Sequence, residues 1–88
     1  MLELKRRELK LNLYGDEISL RFPSVKTIED FTIKSIKAAK GETDLNDVSL
    51  SKELVVSCGM DREKAEELDY EDLITITRTL TGLNEKKN

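Results

Sequence analysis

The sequence predicts an α+β fold: an N-terminal antiparallel β-hairpin packed against a C-terminal set of three to four short helices. Three observations carry this reading. Residues 9–22, LKLNLYGDEISLRF, alternate apolar and polar side chains on both sides of a Gly-Asp turn signal. Beyond Pro23 the apolar residues recur at helical spacing instead. Gly41, Gly59 and Gly82 then fall where the helical runs stop, the position at which a helix commonly ends on a left-handed residue.

In the hairpin, Leu9, Leu11 and Leu13 alternate with Lys10, Asn12 and Tyr14, and Ile18, Leu20 and Phe22 alternate with Glu17, Ser19 and Arg21. Gly15-Asp16 as the two central residues suits a type II′ turn, which favours glycine first. That turn sets Tyr14 against Glu17, Leu13 against Ile18, Leu11 against Leu20 and Leu9 against Phe22. All six apolar side chains then share one face. A lone hairpin is marginal in water, so this face needs a cover. Leu2 and Leu4 are out of phase with Leu9, which predicts a bend within residues 5–8 and leaves room for a further strand at the start. Lys5-Arg6-Arg7 reads as a charged guard on a sheet edge.

The cover is helical. Pro23 ends the second strand, and Thr27 with Asp30 resembles a capping box for a helix whose Ile28, Phe31, Ile36 and Ala39 form one face, stopping near Gly41. GETDLND is the main loop. Asp47 or an adjacent residue caps a second helix with Leu50, Leu54, Val55 and Cys58 on one side, and Gly59 sits just past its end. Asp61 caps a short turn through Leu68. Asp69 caps a last helix with Leu73, Ile76, Thr77 and Leu80 inward, ended by Gly82. Residues 1–83 are expected to form a single domain, with Leu83 folding back onto the last helix and residues 84–88 as a disordered tail.

With 88 residues, a domain buries only about 60–65% of its unfolded surface and is stable by about 5–8 kcal/mol. One cysteine and no histidine exclude an internal disulfide, a multi-cysteine zinc site and the Ser–His and Cys–His pairs of nucleophilic catalysis. Cys58 lies on an apolar helix face without a neighbouring base, as a small buried hydrophobe does. Paired carboxylates such as Glu66-Glu67 and Glu71-Asp72 arise from an acidic helix by composition. Glu42, Asp44 and Asp47 lack EF-hand spacing, and the four glycines are scattered singly, so no phosphate-cradling loop is present. The chain thus reads as a non-enzyme without metal or cofactor. No apolar run approaches a membrane span and the start is too charged for a signal peptide, which together predict a reducing cytoplasm.

Charge is segregated. Residues 1–40 carry a net +3, residues 41–72 a net −8 and residues 73–88 a net +2. The acidic block is either a solvated helical surface or a field that steers a basic partner. In both cases it opposes nucleic acid. LSKELVVSCGMDREKAEELDYEDL spaces two helices as a helix-turn-helix does, but its would-be reading helix carries Glu63, Glu66, Glu67, Asp69, Glu71 and Asp72 against Arg62 and Lys64, and phosphates would repel it.

Leu20-Arg21-Phe22-Pro23 leading into Val25-Lys26-Thr27-Ile28-Glu29-Asp30, and Cys58-Gly59-Met60-Asp61-Arg62-Glu63 followed by Glu67-Leu68-Asp69-Tyr70-Glu71-Asp72-Leu73, resemble the small tail assembly chaperones of long-tailed bacteriophages and prophages. The resemblance spans roughly residues 9–82 and rests on caps and core leucines. It implies a non-catalytic protein of the bacterial host cytoplasm that binds the tape-measure protein and keeps it soluble during tail assembly. Two other classes stay open: a generic bacterial interaction or adaptor module, and an acidic DNA-mimic inhibitor. Short amphipathic helices suit a helical client. The expected contact region is the last two helices, where Glu66, Glu67, Glu71 and Asp72 could rim a groove lined by Leu73 and Ile76, although the same two apolar residues serve equally as core. The small sheet leaves an edge for homo-oligomerisation.

Overall fold

The structure, a computed structural model, describes residues 1–44 and 46–82. The element order is β1 (Glu8–Leu13), β2 (Asp16–Arg21), α1 (Val25–Ala39), α2 (Asp47–Ser57), α3 (Arg62–Glu67) and α4 (Tyr70–Thr81). The α+β architecture is the one the periodicity predicts: an antiparallel hairpin followed by four helices. The expected fold-back of Leu83 and the tail at 84–88 lie outside the described residues.

The hairpin register differs from the expected one by two residues. Leu13 pairs with Asp16, Leu11 with Ile18 and Leu9 with Leu20. The central turn residues are therefore Tyr14 and Gly15, with φ of 53° and 98°. Positive φ at both positions defines a type I′ turn, whose twist matches that of the strands, in place of the type II′ turn at Gly15-Asp16. A slip of two residues leaves every side chain on its original face, so the apolar pattern cannot separate the two registers. Asn12 helps to select the observed one, its Oδ1 accepting the Gly15 N–H at 3.1 Å. No strand forms in residues 1–7. The ladder extends one step past β1, where Phe22 donates to the Arg7 carbonyl at 3.1 Å and the Arg7 guanidinium lies 4.6 Å from the centre of the Phe22 ring.

Helix α1 begins three residues earlier than the capping box suggested. Its N-cap is Ser24, whose hydroxyl accepts the Thr27 N–H at 3.2 Å. Asn46 caps α2 in the same way through Ser49. At the other end of α2 Met60 N–H bonds Val55 O at 3.1 Å and Gly59 N–H bonds Val56 O at 3.0 Å, with Gly59 at φ 118°. This is a Schellman motif, closed by burial of both Val55 and Met60. Asp61 and Asp69 occupy the N-cap positions of α3 and α4, but neither side chain makes a capping bond. Asp69 instead donates its backbone N–H to the Tyr14 hydroxyl at 3.2 Å.

The core forms where α2 meets the hairpin and α4. Leu20 and Val55 are fully enclosed, joined by Leu54, Cys58, Met60, Ala65, Leu73, Ile76 and Leu80. Leu9, Leu11, Leu13, Ile18 and Phe22 pack against this cluster from the sheet side. Every apolar hairpin residue therefore faces inward as the alternation requires, with Leu20 deepest. Burying such a side chain contributes about 1.5–3 kcal/mol relative to leaving it in water.

Candidate functional site

The expected contact region on the last two helices is divided by the fold: Asp72 and Ile76 line one shallow depression with the hairpin, and Glu66, Glu67 and Glu71 lie outside its lining. Leu73 and Ile76 are buried in the core, because α4 turns that stripe onto α2 and the hairpin. Leu73 serves as packing, while Ile76 also forms, with Asp72, Tyr14, Leu11 and Leu13, the lining of a shallow depression between β1 and α4. Asp72 is engaged by the Tyr14 hydroxyl, which donates to its Oδ2 at 2.5 Å. Glu66 lies 3.4 Å from Lys52 Nζ, with the glutamate side chain half exposed. Glu67 and Glu71 are exposed, and together with Glu66 they leave an acidic surface on α3 and the first turn of α4.

The turn end of the hairpin is fastened to this region by two polar contacts. Tyr14 reaches α4 through the paired bonds to Asp69 and Asp72. Lys64 of α3 meets Asp16 at 2.8 Å, and this pairing draws the Asp16 carboxyl below its usual pKa while raising that of the Lys64 ammonium. The bond to Asp72 likewise raises the Tyr14 phenol above its ordinary value. Cys58 is buried, and desolvation raises its thiol pKa, which keeps it in the unreactive thiol form.

One open apolar surface lies on α1, apart from the exposed Leu2, Leu4, Val48 and Tyr70 elsewhere. This helix has 15 residues and is amphipathic, yet none of them is fully buried. Its contact with α2 runs through Phe31, which is half-buried against Leu54 along a shallow groove that Thr27, Lys34 and Ser57 also line. Away from that contact, Val25, Ile33 and Ile36 are 76%, 51% and 50% exposed. At about 100° per residue, Val25, Thr32, Ile36 and Ala39 fall within one arc of about 60°, and Ile33 lies about 60° beyond it, with Glu29 and Lys40 between. Lys26, Lys37, Lys40 and Glu29 lie on the same side, Lys26 being paired with Asp30. The expected inward face Ile28, Phe31, Ile36 and Ala39 is thus split: Phe31 and Ile28 are partly covered, while Ile36 and Ala39 face outward. The periodicity that signals this helix does not say which side a neighbour covers.

No helix among the described residues is long and apolar enough to cross a membrane. No family model matches the chain, and neither a curated protein nor a solved structure gives a significant match.

Proposed function

We propose that the protein is a non-catalytic binding domain that holds a helical, hydrophobic client in solution, the client being the tape-measure protein of a long-tailed bacteriophage or prophage in the host cytoplasm. The observation that supports this reading is α1, a four-turn amphipathic helix whose Val25, Ile33 and Ile36 stay half or more exposed. A soluble domain this small leaves such a stripe uncovered at a cost in solubility, and an incoming amphipathic helix would bury it side by side. Lys37 and Lys40 border the stripe and favour a client with acidic margins there, while Lys26 is paired with Asp30 and Glu29 stands between Ile36 and Ile33. The acidic surface of Glu66, Glu67 and Glu71 acts at longer range, keeping the complex soluble and steering basic segments of a long client.

Co-expression with a tape-measure protein from the same genome tests the proposal. The client's soluble fraction should rise and the two should co-purify. The variant Ile33→Glu/Ile36→Glu should lose capture while its own stability changes by no more than about 0.5–1 kcal/mol, because both residues are already half in water. Reversal of Glu66, Glu67 and Glu71 to Lys should slow capture in a salt-dependent way with a smaller loss at equilibrium. Absence of both solubilisation and co-purification rejects the chaperone reading in favour of an adaptor module.

A further inference from the structure

The two edges of the hairpin differ. Because Phe22 donates to the Arg7 carbonyl, residues 7, 9, 11 and 13 direct their backbone polar groups at β2. Glu8, Lys10 and Asn12, the alternate residues, direct theirs outward. On β2 the C-terminal part of the outward edge is covered: Arg21 N–H donates to the Cys58 carbonyl at 2.9 Å, and Gly59 sits against the Ser19 carbonyl. On β1 no backbone bond reaches the outward groups of Glu8, Lys10 or Asn12 among the described residues, and all three side chains are exposed.

We propose that this open β1 edge pairs with β1 of a second copy of the chain, antiparallel, about a twofold axis at Leu9. The occupant and the register follow from hydrogen-bond parity and charge. Outward residues must meet outward residues, so the even-numbered positions pair with one another. Centring the axis on Lys10 sets like charges face to face, centring it on Glu8 does the same, and centring it on Leu11 sets Lys10 against Asn12 and Glu8 against Tyr14 without forming an ion pair. Centring it on Leu9 sets Glu8 against Lys10 of the second copy twice over and brings the two Leu9 side chains together on the helix side. Opposite charges directly across an antiparallel pair are favourable and like charges are not. The resulting four-stranded sheet has β2 at both margins, where the end of α2 blocks the edge from Ser19 to Arg21 and leaves too short a stretch for a further strand, so growth stops at two copies. Leu4, exposed in the single chain, arrives opposite the exposed ring of Tyr14. This pairing rests on the hairpin edge and does not depend on client binding at α1.

Sedimentation equilibrium of the full chain, at low and high salt and up to millimolar concentration, tests the inference. Wild type should show a monomer–dimer equilibrium that weakens with salt. Glu8→Lys, which turns both charge pairs repulsive, should raise the dimer dissociation constant by about tenfold or more. The swap Glu8→Lys/Lys10→Glu should restore it. Ile36→Glu should leave it unchanged, and the helix content of all variants should equal that of wild type. A strictly monomeric wild type overturns the proposal, as does a Glu8→Lys variant that dimerises like wild type or a double swap that fails to recover.

Discussion

Tyr14 holds a left-handed backbone at φ 53°, a conformation that costs an L-residue with a side chain about 1–2 kcal/mol. What offsets this is the reach of its hydroxyl, which accepts from the Asp69 N–H and donates to Asp72. One side chain thereby completes the turn and satisfies the start of α4, where the Asp69 carboxylate provides no cap. The same bond makes the pH response predictable. Donation to Asp72 raises the phenol pKa above its ordinary 10.0 in the folded state, so the folded chain holds that proton more tightly than the unfolded chain does. The stabilisation is complete below the ordinary tyrosine pKa and is lost as pH rises through the folded value. Stability against denaturant should therefore fall above about pH 10 in wild type. Tyr14→Phe should be less stable at neutral pH and lack this part of the alkaline decline. An identical decline in the Phe variant would assign it to other groups.

Among the elements, α2 was the most legible in the sequence and α1 the least, for a physical reason. Leu50, Leu54, Val55 and Cys58 mark one face of α2, and Gly59 fixes its end chemically, because the Schellman turn requires a residue at φ 118°. Gly59→Ala should cost about 1–2 kcal/mol through that backbone angle. Steric conflict adds little, since an added Cβ would lie 3.9 Å from the Ser19 carbonyl. Urea unfolding measures the loss, and an Ala variant as stable as wild type would contradict the left-handed cap. In α1 the sequence shows amphipathicity and a stop near Gly41, but neither identifies the covered side. The first cap shifted from Thr27 to Ser24 because both hydroxyls precede plausible first turns. The hairpin's inward face was legible and its register was not: a two-residue slip preserves the face, and the choice was made by Asn12 and by the distant anchor of Tyr14 on α4. Leu73 and Ile76 carry a signal common to core and groove, and the packing of α4 buries both while leaving Ile76 in the lining of the depression beside Asp72.

At the scale of the whole molecule, the hairpin and the helices are one cooperative structure because neither has enough apolar cover alone. A two-stranded sheet is not independently stable, and the short α3, of six residues, is far below the length at which isolated helices persist. The shared cover centres on Leu20 of β2 and Val55 of α2, the two side chains enclosed to 0% exposure. Leu20→Ala removes the strand's contribution to that centre without adding a charge or altering β propensity grossly. Leucine-to-alanine changes at such sites cost about 2–5 kcal/mol, the larger values where the surroundings cannot collapse into the space. Against a total of about 5–8 kcal/mol for a chain of this length, that is a large share. The expected outcome is a strongly lowered melting temperature with strand and helix signals lost together, followed by infrared amide bands for the sheet and circular dichroism for the helices. If the helices of Leu20→Ala melted at the wild-type temperature while the hairpin signal alone was lost, the two halves would be separable and the Leu20–Val55 centre would not be their joint.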